Sequence, residues 1–199
     1  MKRAHALIVC LMLCGSALGH EPAPAAATER PASGTRDAQA WFTDTPLYDQ
    51  HGNTLRFYSD VLKDRVVLLN VIFTSCTDAC PLITRKLLQV RQALGKDAAQ
   101  VTFISLTSDP QTDTPAVLKA YTLKHGVDDP QWLFLTGDAQ AMALVLGRIG
   151  QVIPSPEQHS TQLIVGDVAG KRWSKIRPDA PAAAIAQRLQ LLALPVAGR

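Results

Sequence analysis

Thr74-Ser75-Cys76-Thr77-Asp78-Ala79-Cys80-Pro81 follows a mostly apolar run from Val66 to Phe73 and precedes an amphipathic stretch from Leu82 to Leu94. The run has the length and branched side chains of a strand buried on both faces, which puts two cysteines where a central strand turns into a helix. Open α/β sheets place their ligands at such points. Residues four apart in a helical turn share a face, so the spacing brings two sulfur atoms together for a shared metal or a reversible disulfide. The free N–H groups of a helix N-terminus favour negative charge and should lower the pKa of at least one thiol. Thiolates are soft ligands that suit Cu(I) and zinc, whereas carboxylates and water suit magnesium or calcium. An inert structural disulfide is the other reading of the same pair.

The chain has 199 residues, enough for one well-filled core and too few for two ordinary domains. Hydrophobic residues make up 47% and charged residues 19%, a globular balance, and no basic stripe or nucleic-acid motif appears. Met1 to Gly19 reads as a secretory signal, with Lys2 and Arg3 at its start, an apolar stretch from Ala6 to Leu13, and Ala17-Leu18-Gly19 as a small-residue cleavage site. An uncleaved anchor is the alternative, although the stretch is short for a span. Cys14 follows Leu13 rather than a small residue, which argues against lipidation. Cleavage would remove Cys10 and Cys14, leave Cys76 and Cys80, and take the formal charge from +3 to +1 by removing Lys2 and Arg3. Charge alone names no partner.

Residues 20–40 are rich in Ala, Pro and Thr and read as a flexible tether, with the domain occupying 41–199. Within the tether, His20 reads as part of a solvated tail. Leu47 to Phe57 reads as two short strands around a His51-Gly52-Asn53 turn, followed by a helical turn near Ser59 to Lys63. After the cysteine helix come a strand from Val101 to Leu106, a helix from Pro115 to Lys124 stopped by Gly126, and a strand from Trp132 to Leu135. A helix from Asp138 to Leu146 should end at Gly147; strands around Gln162 to Val165 and Arg172 to Ser174 and a helix from Ala180 to Leu192 complete the chain. The alternation predicts an α/β fold, a central mixed sheet with helices on both faces, and matches a thioredoxin-like arrangement with an N-terminal β-hairpin extension.

In that arrangement the loop entering the strand after the third helix returns beside the cysteines, and here it carries His159. A neutral imidazole beside two thiolates makes a Cys2His donor set. Asp109, in the loop after the second central strand, is the candidate to orient a ligand or tune the site, or else it only shapes an Asp-Pro turn. Asp78 reads as solvated or capping, and His125 as a partner of a helix dipole. Met142 is the one methionine beyond the signal, so there is no methionine-rich motif.

Val66 to Pro81 resembles the signature of the Sco (SenC/PrrC) family of copper-binding thioredoxin-like proteins. Ser105-Leu106-Thr107-Ser108-Asp109-Pro110, Asp113-Thr114-Pro115, Trp132 to Gly137 and His159-Ser160 fall in the same order as the family's other blocks. The resemblance implies copper, as Cu(I), Cu(II) or both, held by Cys76, Cys80 and His159 with Asp109 nearby. It implies a metallochaperone that helps build the CuA centre of cytochrome c oxidase, with a copper-recipient oxidase subunit and other copper chaperones as partners. It places the domain in the periplasm or at the outer face of the inner membrane. Thr77 stands where proline is common in the family, and Gln158 where aspartate is frequent.

Three alternatives use these residues differently. A thiol-disulfide reductase needs only Cys76 and Cys80, one to attack a partner disulfide and one to resolve it. A thiol peroxidase normally isolates its reactive cysteine, unlike this pair. A zinc enzyme fits less well, since two thiolates and one imidazole suit three-coordinate Cu(I) and no further ligand is apparent in the sequence.

Overall fold

The computed structural model describes residues 37–151 and 155–194. The signal, most of the tether, Cys10, Cys14 and His20 lie outside the described residues. The last three residues of the expected tether are helical, in α1 (Ala38–Phe42), because Asp37 accepts the Gln39 N–H at 3.1 Å and Phe42 is buried against Phe57 and Trp173. The hairpin then forms from β1 (Pro46–Tyr48) and β2 (Thr54–Arg56), with Leu47 opposite Leu55. Asp49 closes its turn by accepting the N–H groups of His51 and Asn53, each at 2.8 Å. A π-helical segment, Phe57–Leu62, leads to the sheet.

That sheet contains β3 (Val66–Ile72), β4 (Val101–Thr107), β5 (Trp132–Leu135), β6 (Leu163–Asp167) and β7 (Arg172–Ile176), in the order β5-β4-β3-β6-β7. Strands β3, β4 and β5 run parallel, while β6 is antiparallel to β3 and β7 to β6. The central position of β3 explains its apolar run: residues 67 to 72 are all buried. Leu68 and Ile72 face one core with α2 (Ala79–Leu94), α3 (Pro115–His125) and α5 (Ala182–Ala193). Val67, Leu69 and Val71 face the other with α1, α4 (Ala139–Arg148) and the π-helical segment. Each fully buried aliphatic side chain on these faces contributes about 1.5–3 kcal/mol.

Helix α2 buries Cys80, Ile83, Thr84, Leu87, Val90 and Leu94, the stripe that a 3.6-residue period demands, and stops at Gly95 with φ 57°. Helix α3 starts as expected, with Thr114 as its cap and Pro115 in its first turn, and ends at Gly126 with φ 66°. Helix α4 runs through Gly147, its expected stop. Its buried stripe continues from Val145 and Leu146 to Ile149, which outweighs the cost of about 1 kcal/mol for an internal glycine. Gly150, at φ 78°, makes the turn instead.

The hairpin also covers the outer edge of β5. Tyr48 and Thr136 exchange main-chain hydrogen bonds at 2.7 and 2.9 Å. The buried Gln50 side chain donates to Trp132 O and accepts from Phe134 N, both at 2.9 Å. An amide side chain thus pairs with the strand as a neighbouring backbone would.

Candidate metal centre

Strand β3 ends at Ile72, the chain turns through 73–78, and α2 begins at Ala79. The two cysteines therefore do not share a helical face: Cys76 lies in the turn, half-buried, and Cys80 lies in the first turn of α2, fully buried. They meet because the Cys80 N–H points at Cys76 Sγ, 3.4 Å away. The sulfur takes the place that a capping oxygen usually fills, while Asp78, at the cap position, is exposed and makes no side-chain cap bond. Both thiols are free.

This placement splits their acidity. Burial acts to raise the pKa of Cys76, but hydrogen bonds from the Cys80 N–H and thiol and from the N–H groups of Asp78 and Ala79 outweigh it and leave the pKa below the ordinary thiol value. Burial pushes the Cys80 thiol up to about 12, with the hydrogen bond to Cys76 and the charges of Cys76 and Asp113 adding to the rise. Cys76 is thus the more acidic thiol of the pair and Cys80 the less acidic.

His159 follows a 3-10 turn, Pro156–Gln158, in the loop before β6. Its Nε2 lies 3.7 Å from Cys80 Sγ, and its ring meets Phe73 edge to face with centroids 5.7 Å apart. Its Nδ1 is 3.2 Å from Ser160 O, a contact in which Nδ1–H donates to the carbonyl and which leaves Nε2 facing the sulfur. Cys80 thus touches both Cys76 and His159. Among the described residues, no three His, Cys, Asp or Glu side chains already surround one point. Two thiols and an imidazole form a soft donor set that fits Cu(I).

The buried carboxylate that the hydrogen bonds build into this region is that of Asp113. Asp113 is fully buried and accepts the Thr74 N–H at 3.2 Å, the Thr74 hydroxyl, and the Thr107 hydroxyl at 2.5 Å. It therefore locks the first residue of the cysteine motif to the end of β4. Asp109 is held through its backbone: its N–H donates to Thr107 Oγ1 at 2.9 Å, and its carbonyl accepts from Thr112 and Asp113. It also lines a groove of about 440 Å³ with Pro110, Met142, Leu146 and Pro156, on the α4 side of the sheet. Asp113 precedes a Thr-Pro helix start, so its sequence context reads as a helix entry; the hint to its role lies in the threonines at the ends of two adjacent strands.

His125 lies in the last turn of α3, where the sequence placed it. Its ring lies 4.2 Å from that of Tyr121, and burial, followed by the charges of Lys124 and Arg85, lowers its pKa rather than raising it. Tyr121 shares a 2.9 Å hydrogen bond with Thr84 beneath the thiols, and burial pushes it up to about 12. His51 is exposed on its turn, as expected, with Nε2 3.9 Å from Asp128.

A model of the SCO1/SenC family matches residues 33–193. An SCO2-like protein of Rickettsia felis is 40% identical over 97 residues, 49% of this chain and 45% of the relative. The chain spans less than half the length of the curated relatives it matches. Bradyrhizobium japonicum ScoI, solved with copper bound, superposes with a TM-score of 0.63 at 27% identity, covering 74% of this chain and 96% of that one. A SCO1/SenC family lipoprotein of Bacillus anthracis superposes with a TM-score of 0.66 at 25% identity, covering 75% and 92%.

Proposed function

Because the chain belongs to the SCO1/SenC family, we propose that it is a copper carrier that binds one copper through Cys76 Sγ, Cys80 Sγ and His159 Nε2 and passes it to a copper-recipient subunit of cytochrome c oxidase during assembly of the CuA centre. The observation that carries this reading is the contact of Cys80 with both Cys76 and His159 at the end of the central strand. The copper-bound ScoI of Bradyrhizobium japonicum supports it. Cys76, already the more acidic thiol and the more exposed, meets the ion first. Cys80 then gives up its proton as its sulfur joins the shell, and the Nε2 lone pair completes it. Release to a recipient follows by exchange of the same thiolates with the recipient's cysteines, Cys76 again leading. The domain would work outside the cytoplasm, in the periplasm or at the outer face of the inner membrane, and no helix among the described residues is long and apolar enough to cross a membrane.

The acidity split also favours a second reading, a thiol-disulfide reductase for the recipient. The Cys76 thiolate attacks a partner disulfide and one partner sulfur leaves as thiolate. Cys80 then loses its proton and attacks Cys76, releasing the second partner thiol and leaving a Cys76 to Cys80 disulfide. Anaerobic copper titration of the reduced protein beside Cys76→Ser and His159→Ala separates the two. Copper held tightly by wild type and lost from both variants is the carrier result. A wild type that retains no copper but reduces a disulfide substrate is the reductase result.

A further inference from the structure

We propose that Ser108 is the positioning residue for His159, resting on the reading of His159 as a copper ligand. Apart from the contact of His159 with Cys80, one hydrogen bond among the described residues joins residues 155–161 to another element of the fold: the Ser108 hydroxyl donates to Pro156 O at 3.1 Å. The other polar contacts of that segment are local, Gln158 N to Ser155 O at 3.0 Å, His159 Nδ1 to Ser160 O at 3.2 Å and Gln162 N to Ser160 Oγ at 3.2 Å. Strand pairing does not begin again until β6, where Ile164 lies opposite Leu69.

Ser108 is well placed to act as an anchor because its backbone is already fixed. Its N–H donates to Ile72 O at 2.8 Å, at the last residue of the strand that delivers the cysteines. The hydroxyl also lies 3.2 Å from that same carbonyl, which the N–H already serves, so its distinct contribution is the bond to Pro156. Pro156 opens the 3-10 turn that ends at His159. The imidazole therefore hangs from the β3 end through Ser108, while the thiol arm is held separately through Asp113 and Thr74. Two independent ties set the two arms of the site, so one can be cut without the other.

The test uses Ser108→Ala, Ser108→Thr and Ser108→Val in the reduced chain, with two readouts. Backbone amide exchange of residues 155–161 in metal-free protein should quicken in Ser108→Ala and Ser108→Val and stay at the wild-type rate in Ser108→Thr, with α2 unchanged in all three. Copper affinity should fall about two- to tenfold in the first two, the fold-change expected for one hydrogen bond, and recover in Ser108→Thr. The Cys76 to Cys80 reduction potential should hold at the wild-type value throughout. Wild-type exchange and affinity in Ser108→Val would overturn the assignment, as would a potential that moved with the affinity. Failure of wild type to bind copper would overturn the carrier reading instead, and amide exchange would still decide whether Ser108 anchors the loop.

Discussion

Cys80 Sγ and His159 Nε2 stand 3.7 Å apart although 79 residues separate them in the chain. The contact follows from the antiparallel pairing of β6 with β3: the loop entering β6 is delivered to the end of β3 where α2 begins. The sheet, rather than any local motif, brings the imidazole to sulfur.

Replacing His159 with Ala should weaken copper binding more than about a hundredfold, since losing even an outer partner of a ligand costs about 10–100-fold. The rate of reduction of a small disulfide substrate should stay within about twofold of wild type. Competition against a Cu(I) chelator measures the first and stopped flow the second. Undiminished copper affinity would remove His159 from the shell.

Alkylation mapped by mass spectrometry should find Cys76 reacting first, with an apparent pKa below 9.0. Cys80 should stay unmodified until the pH approaches 12. Equal reactivity of the two at pH 8.5 would contradict the placement of the Cys76 sulfur over the α2 N-terminus.

Reduced, metal-free protein should lose stability as pH rises from 9 toward 12. Cys80 and Tyr121 are both raised to about 12, so each holds its proton more tightly folded than unfolded. Their contribution is complete below their unfolded values and disappears as pH climbs through the folded ones. Cys76 works in the opposite sense, but its gain is complete once the pH passes its ordinary value of 9.0. Urea melts across this range should show the decline, and Cys80→Ala should flatten it. A wild type as stable at pH 11 as at pH 8.5 would show that burial does not hold that proton.

Asp113→Ala should destabilise the fold by about 3 kcal/mol or more, since it orphans three donors in a buried site and each costs roughly 1–3 kcal/mol. Asp109→Ala should change stability by less than about 1 kcal/mol, its structural contacts being made by the backbone. Denaturant midpoints at constant m separate the two. Equal losses would mean that the Asp113 bonds do not carry the loop.

The alternation of apolar runs with helical stripes made the layer order readable, because Val66 to Ile72 and Val101 to Thr107 are buried on both faces and nothing but central strands fits them. That Cys76, Cys80 and His159 come together was readable through topology. Which carboxylate is buried was not, since Asp109 and Asp113 stand four apart in one polar loop and only the threonines at two strand ends decide between them. The stop of α4 was misplaced because a glycine looks like an end unless the next apolar contact, here Ile149, is known to be in the core. Ser108 left no pattern, as a lone hydroxyl gains meaning only when Pro156 lies opposite it.

The amide of Gln50 has a consequence for how copies of this chain meet. By occupying the free N–H of Phe134 and the carbonyl of Trp132, it removes the hydrogen-bonding template that an edge strand would offer to a strand from another molecule. If the proposed copper transfer holds, the absence of an adhesive edge there keeps close encounters with a recipient from ending in strand pairing. Together with the main-chain pairing of Tyr48 and Thr136, the Gln50 amide closes the β5 edge to self-association by strand addition.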